Sequence, residues 1–115
     1  MNSMRLVIAE DSAILRDGLA RLLEDRGHHV TAAVGDAEAL QVAVDAHRPD
    51  VAVIDIRMPP THTDEGLRAA ISLRRRHPDL GVLMFSQYIE TRYAVQLLAE
   101  NTAGVAICSR TELPT

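Results

Sequence analysis

The sequence predicts an α/β fold, in which helices cover both faces of a doubly wound, five-stranded parallel sheet. Short apolar runs rich in β-branched residues alternate with segments of helical length, and the links between them are short. Apolar residues make up 47% of the 115 residues, mostly as alanine, valine and leucine, and there is no tryptophan. Aliphatic side chains of this kind suit a parallel sheet that is buried on both faces.

The strands and helices can be placed along the chain from this alternation. Five runs are predicted to be strands, namely 5–9 (RLVIA), 30–34 (VTAAV), 51–54 (VAVI), 81–86 (GVLMFS) and 104–108 (GVAIC). Four segments between them are predicted to be helices, at 12–26, 36–47, 64–77 and 90–100. Asp36 and Asp64 are the predicted N-caps of the second and third helices. In such sheets, ligands bind beyond the carboxyl ends of the strands.

The first helix has the clearest amphipathic pattern, and the third ends in a run of cations. Gly27 is placed to end the first helix, whose predicted inward stripe is Ile14, Leu15, Leu19, Leu22 and Leu23. Residues 74–77 (RRRH) complement the dipole of the third helix and are expected to stay solvated. The five histidines lack paired ligand spacing, so we expect them in surface or cap roles.

Charge and cysteine content narrow the classes of function. The net charge of −4 provides no basic field for a phosphate backbone, so these residues are not expected to bind DNA directly. Cys108 is the only cysteine, which excludes an internal disulfide and favours a reducing compartment, so we expect a cytoplasmic location. No apolar run approaches the length of a signal sequence or membrane span, so no membrane association is expected.

Acidic residues stand where the first and third predicted strands end. Glu10 and Asp11 follow the first strand, and Asp55 follows the third. Each alone has an ordinary explanation as a helix cap or the start of a loop. Three carboxylates at one edge, however, repel one another unless a cation lies among them, and oxygen ligands of this kind suit Mg²⁺. Beside such a cation, Asp55 is predicted to act as a nucleophile and form an acyl phosphate.

These residues and their surroundings resemble the receiver domain of two-component response regulators. The resemblance rests on Glu10-Asp11, on Asp55 with MPP behind it and on Ser86, and it extends to about Gly104. The segments EDSAILRDGLARLLEDRGH, DIRMPPTHTDEGL and SQYIETRYAVQLL resemble the actinobacterial branch of the LuxR/NarL-type regulators. The resemblance implies a flavodoxin-like receiver fold with strand order 2-1-3-4-5. In full-length members a helix-turn-helix DNA-binding domain follows the receiver, and these residues include none.

The resemblance also implies a role for each site residue. Asp55 would accept the phosphoryl group and would also be a ligand of Mg²⁺, and Asp11 would bind Mg²⁺ directly. Glu10 would act mainly through a metal-bound water, and the backbone carbonyl of Arg57 would complete the protein ligands. Ser86 would be the switch hydroxyl. The donor would be the phosphohistidine of a sensor histidine kinase, and the domain would assist at most its own phosphorylation and dephosphorylation, without being a metabolic enzyme.

The carboxyl-terminal part departs from the family pattern, which has a lysine at the end of the fifth strand. This chain contains no lysine. The spacing of the LuxR/NarL-type branch falls on Arg110, whose planar guanidinium is not equivalent to a compact ammonium group. The shorter spacing of other receivers falls on Cys108. Ile107 stands where a switch tyrosine is expected.

Residues 109–115 are therefore predicted to be an atypical tail after a receiver domain at 1–108. One codon choice for residues 108–115 (CSRTELPT), read in the neighbouring frame, encodes LLKDRVAD, the continuation that the resemblance implies. This leads to the hypothesis of a frameshifted tail, natural or introduced in cloning, which the coding DNA tests. The last helix would then be missing, and the apolar surface exposed beside strands four and five predicts a homodimer.

Two functional hypotheses stay open at this point. The first is a phosphorylatable receiver, which the acidic residues favour. The second is a degenerate receiver that acts as an interaction or dimerisation module without phosphorylation, which the missing lysine favours. A phosphatase of the haloacid dehalogenase type is disfavoured, because such enzymes need a second aspartate where this chain has Arg57. A flavin-binding flavodoxin is disfavoured because Glu10 and Asp11 would repel phosphate.

Overall fold

The computed structural model describes residues 3–86, with side chains up to Phe85, and the backbone of residues 105–109. In this part of the chain the elements are β1 (Arg5–Ala9), α1 (Ala13–Asp25), β2 (His29–Val34), α2 (Ala37–His47), β3 (Val51–Asp55), α3 (Glu65–Arg76), β4 (Gly81–Ser86) and β5 (Val105–Ser109). The five strands form one parallel sheet with the order β2-β1-β3-β4-β5. The predicted fold class and strand order are confirmed.

Several predictions concern residues outside this part of the chain. They are the helix at 90–100, Arg110 and the tail beyond Ser109, the side chain of Ser86, and the surface that a missing last helix would expose. The frameshift and the homodimer therefore stay predictions. The strand β5 itself extends to Ser109, one residue into the predicted tail.

The order of the strands determines which face each helix covers. The chain adds β2 on one side of β1 and then β3 on the other, so right-handed crossovers place α1 on one face and both α2 and α3 on the opposite face. The main core lies under α2 and α3, where the buried residues of the strands are Val7, Ala9, Ala52, Ile54, Val82 and Met84. The helices contribute Leu40, Ala43, Val44, Leu67, Ala69, Ala70 and Leu73 to the same core.

The helix α1 is less buried than its amphipathic pattern predicts. Leu15, Leu19 and Leu23 are half-buried, but Ile14 is 86% exposed and Leu22 is 48% exposed, so the prediction of a five-residue inward stripe is wrong for these two. Among the described strands, α1 packs mainly on β2 and β1, at one end of the sheet, so part of its apolar face extends beyond the sheet. The predicted end of the helix is confirmed, because Gly27 follows it with a φ of +93° that suits glycine.

The helix caps agree with the predictions at Asp36 and differ at Asp64. Asp36 accepts a hydrogen bond from the N–H of Ala39 at 2.7 Å, which is the bond that an N-cap makes. Asp64 stands at the N-cap position of α3 but makes no side-chain capping bond. Its carboxylate instead pairs with Arg68 one turn into the helix, with 3.1 Å between Oδ2 and Nε.

The cations at the end of α3 do more than complement the helix dipole. Arg76 donates to Asp45 of α2 at 2.6 Å, and His77 Nε2 lies 2.8 Å from the same carboxylate. Arg74 donates to the carbonyl oxygens of Pro78 and Leu80, both at 2.7 Å. The run that was expected to stay solvated therefore joins α3 to α2 and to the start of β4.

Close packing between α3 and the end of β3 depends on Gly66. Its N–H donates to the carbonyl of Ile56 at 2.9 Å, so the first turn of the helix lies directly against the strand end. A Cβ atom at this position would lie 1.8 Å from the carbonyl oxygen of Asp55, a distance that no side chain tolerates. Glycine is required here because of this contact, which also fixes the backbone of Asp55.

Replacing Gly66 should therefore destabilise the fold. We expect Gly66→Ala to lower the free energy of unfolding by about 1–3 kcal/mol, because the helix must move away from β3. The matched control is Gly18→Ala, also within a helix, where a Cβ atom meets nothing within 4 Å. This control should stabilise the fold by up to about 1 kcal/mol through helix propensity. Urea unfolding measures both, and equal effects of the two variants would contradict the packing argument.

The Asp45 cluster predicts a dependence of stability on pH. Hydrogen bonds from Arg76 and then from His77 lower the pKa of Asp45. A carboxyl group with a lowered folded pKa stabilises the fold above its unfolded pKa and loses this contribution as the pH falls through its folded pKa. Asp45→Asn should therefore be less stable than wild type at neutral pH, and the difference should vanish in acid.

Urea unfolding over an acid-to-neutral pH series measures this difference, with Asp25→Asn, an exposed carboxyl group on α1, as the control. A difference between Asp45→Asn and wild type that stays constant with pH would contradict the prediction.

Candidate functional site

Three carboxylates meet at the carboxyl edge of the sheet. The strands β1 and β3 are neighbours, and Ala9 pairs with Ile54, so the residues that follow these two come level with each other. One oxygen from each of Glu10, Asp11 and Asp55 lies within 4.8 Å of the others. The structure thus brings together the three acidic residues that the sequence places at the ends of the two strands.

Glu10 is the most deeply buried member of this cluster, at 2% exposure. Its N–H continues the sheet by donating to the carbonyl of Val34 at 2.9 Å, and its side chain accepts from the N–H of Ser12 at 2.8 Å. Burial raises the pKa of Glu10 to about 7; the Ser12 bond opposes this, while Asp11 and the charge of Asp55 add to it. Glu10 therefore holds a proton at a pH where an ordinary glutamate is ionised.

Asp11 is the accessible member, and its pKa is lowered. The side-chain hydrogen bond with Glu10 is the main cause, and His62 adds to it. The Nε2 atom of His62 lies 3.0 Å from Oδ2 of Asp11, with side-chain exposures of 52% and 34%. Asp11 is thus the ionised partner of Glu10 and faces the solvent side of the cluster.

Asp55 is the last residue of β3 and is 7% exposed. Its Oδ1 accepts a hydrogen bond from the N–H of Arg57 at 3.3 Å, and Gly66 packs on its carbonyl group. The position is therefore rigid on the backbone side. Arg57 lies in the loop after β3, and the predicted use of its carbonyl oxygen as a ligand stays a prediction.

Two further residues that the sequence analysis names, Ser86 and Cys108, lie on β4 and β5. Asp55 pairs with Phe85, whose carbonyl accepts the N–H of Ile56 at 3.0 Å, so Ser86 is the next residue beyond the level of Asp55. On β5, Cys108 pairs with Phe85 and Ser109 pairs with Ser86. The register places the backbone of Ser86 beside the acidic cluster, while the role of its hydroxyl and that of Arg110 stay predictions.

The chemistry of these donors fits a hard divalent cation. All three side chains offer oxygen atoms, which is the ligand type that Mg²⁺ takes, usually with one or two carboxylates and several waters. Two of the carboxyl groups are nearly buried, and the raised pKa of Glu10 reduces the repulsion between them, because Glu10 keeps its proton at a pH where an ordinary glutamate is ionised. A cation would replace that proton and allow all three groups to ionise.

Sequence patterns did not identify two of the residues at this site. His62 lies 51 residues from Asp11 in the chain, and no spacing rule relates them. Gly66 has a weak signal, since a glycine in the first turn of a predicted helix costs helix stability and so suggests a packing reason.

Comparison with known proteins identifies the family. The sequence model of the response regulator receiver domain matches residues 6–106. The chain belongs to this family. Response regulator receiver domains are signalling domains of two-component systems, and sensor histidine kinases phosphorylate them. The family also explains why an acidic cluster lies at this edge of the sheet.

Individual relatives agree with this assignment. The chain is 35% identical over 104 residues to the oxygen regulatory protein NreC of Staphylococcus epidermidis, covering 88% of this chain and 46% of NreC. It is 31% identical to the transcriptional regulatory protein NarL of Mycobacterium tuberculosis, covering 96% of this chain and 51% of that protein. The solved signal receiver domain of NarL from M. tuberculosis superimposes with a TM-score of 0.80 at 27% identity, covering 99% of this chain and 88% of that domain.

The chain thus spans about half the length of these curated relatives. Among the described residues, no helix combines the length and the apolar composition that crossing a bilayer requires.

The buried cluster predicts that Mg²⁺ stabilises the fold through Glu10. Glu10→Gln keeps an acceptor for the N–H of Ser12 but removes a carboxyl group from a site crowded with carboxylates. In the absence of metal, the free energy of unfolding of this variant should therefore be about 1 kcal/mol higher than that of the wild type. The same variant should gain less stabilisation from Mg²⁺ than the wild type, because loss of a residue that acts through a metal-bound water weakens metal binding by about 10–100-fold. Thermal unfolding with a chelator and with saturating Mg²⁺ measures both effects.

The control for this prediction is Glu24→Gln, an exposed carboxyl group on α1, which should respond to Mg²⁺ as the wild type does. A Glu10→Gln variant with the full response of the wild type would show that Glu10 takes no part in binding the cation.

Proposed function

We propose that this chain is a phosphoacceptor receiver in which Asp55 takes a phosphoryl group from the phosphohistidine of a sensor histidine kinase. One observation carries the proposal: Asp55 ends a buried strand, and Glu10 and Asp11 hold oxygen atoms within 4.8 Å of its carboxylate. An isolated carboxylate would be costly to bury at such a position. Its place in a cation-binding cluster of a receiver domain supports a reactive role.

The reaction follows from the position of the carboxylate. An oxygen of Asp55 attacks phosphorus, and the new P–O bond forms as the P–N bond to the kinase histidine breaks, so the imidazole leaves and an acyl phosphate remains. Asp11 and the carbonyl of Arg57 would hold Mg²⁺, with Glu10 acting through a bound water. When bound, this cation supplies charge neutralisation between the carboxylates and the phosphoryl oxygens. The backbone contact of Gly66 keeps Asp55 oriented during the transfer.

The signal would pass from this edge of the sheet to the rest of the protein. We propose that the hydroxyl of Ser86 turns toward the phosphoryl group and that Arg110 takes the place of the family lysine.

Residues 1–108 would form the receiver and 109–115 an atypical tail. The relatives are named as oxygen and transcriptional regulatory proteins, which supports a cytoplasmic regulator of transcription of which this chain is the receiver part.

A second candidate function is a receiver that works without phosphorylation. The chain contains no lysine, so the ammonium group that pairs with the phosphoryl group in the family is lacking. In that case the same fold would serve as an interaction or dimerisation module. The acidic cluster does not favour this candidate, because an interaction surface has no need for buried carboxylates at a strand end.

Phosphorylation with acetyl phosphate separates the two candidates. With Mg²⁺, the wild type should give a slower band on a phosphate-affinity gel, and Asp55→Asn should give none. The control Asp17→Asn removes an exposed carboxyl group on α1 and should behave as the wild type. Removing Mg²⁺ with a chelator should abolish the shifted band.

A wild-type chain that binds Mg²⁺ but is not phosphorylated would reject the phosphoacceptor and support the second candidate. A shifted band that persists in Asp55→Asn would move the acceptor to another residue.

A further inference from the structure

His62 contacts the acidic cluster from the loop between β3 and α3. Its Nε2 lies 3.0 Å from Oδ2 of Asp11. An aspartate carboxylate is ionised at neutral pH and can only accept, so Nε2 of His62 is the donor in this contact. This is a contact between distant parts of the chain, and it involves the most accessible carboxylate of the cluster.

The backbone at His62 is held in an unfavourable conformation. Its φ is +55°, in the left-handed region, which is unfavourable for a residue other than glycine. The N–H of His62 donates to the carbonyl of Met58 at 2.9 Å, which closes the turn. Strain of this kind persists where the surroundings determine the conformation, and it often accompanies a functional position.

Glu65 holds the loop on both sides of His62. Its carboxylate accepts from the N–H of Thr61 at 2.7 Å, from the N–H of Thr63 at 3.0 Å and from the hydroxyl of Thr61. The hydroxyls of the two threonines lie 2.8 Å apart. Burial opposes the ionisation of Glu65, but these bonds outweigh it and lower its pKa to about 2. The residues next to His62 are therefore fixed to the first turn of α3.

The imidazole of His62 contacts one oxygen of the Asp11 carboxylate and not the other. A carboxylate has two oxygens, and the bond to Oδ2 leaves Oδ1 without a contact to His62. Groups that hydrogen-bond to metal-binding side chains fix their orientation, and their loss typically costs 10–100-fold in metal affinity. His62 has the position and the donor atom for this task.

We propose that His62 is a positioning residue, which orients the carboxylate of Asp11 for the divalent cation. The inference rests on the proposed function, because it needs the cation site that Glu10, Asp11 and Asp55 form. It adds a residue outside the acidic cluster to that site and assigns a purpose to the fixed loop at 61–63.

Mg²⁺ binding to the full chain, measured by titration calorimetry, tests the proposal with two variants. His62→Gly removes the imidazole and suits the left-handed backbone, so the variant folds; its affinity for Mg²⁺ should fall about tenfold. His62→Gln places an amide N–H near the position of Nε2 and should restore the affinity to within about threefold of the wild type. Thermal unfolding without metal confirms that both variants are folded.

The outcomes separate this proposal from the proposed function. If the wild type binds Mg²⁺ and Asp11→Asn does not, the cation site stands, and an unchanged or tighter affinity in His62→Gly overturns the role of His62 alone. If His62→Gln is as weak as His62→Gly, the donor atom is not what matters and the proposal is also overturned. If the wild type does not bind Mg²⁺, both proposals fail together.

Discussion

Two carboxyl groups, those of Glu10 and Asp55, are buried close together at the carboxyl edge of the sheet. They would repel each other if both were ionised, and the surrounding structure reduces this repulsion. Burying an ionised carboxylate without a partner is among the most costly arrangements in a protein. Here the cost is reduced by backbone N–H donors from the two following loops, by a proton on Glu10 and by the hydrogen bond that this residue shares with Asp11. Each of these contributions is local, and together they leave three carboxyl groups close enough to hold a divalent cation.

The two faces of the sheet are packed to different degrees near this edge. The face under α2 and α3 carries the continuous core, and α3 begins directly against the end of β3 through Gly66. The face under α1 is less tightly covered by the described residues. The end of β3 that carries Asp55 is therefore held by the more tightly packed face of the sheet. Asp11 and His62 are the more exposed residues of the site.

Much of the fold was predictable because its signals are local. The strands β1 and β4 have their predicted bounds, β2 and β3 are each one residue longer than predicted, and β5 is shifted by one residue. The agreement is this close because runs of β-branched residues between polar links identify buried strands well. The cap at Asp36 was predictable because its signal is also local. The exposure of Ile14 was not, since an amphipathic pattern shows which side of a helix is apolar but not how far the sheet extends beneath it.

For the site, the identities of Glu10, Asp11 and Asp55 and their places at strand ends follow from the sequence, because parallel strands carry their carboxyl ends to one edge. Only the tertiary structure decided which further residues meet them. His62 reaches Asp11 across 51 residues because a loop in a left-handed turn is held by Glu65, and Gly66 is needed because a helix starts against a strand. Such contacts depend on the relative position of elements that are distant in the chain, and local patterns of apolar and polar residues carry no information about that position.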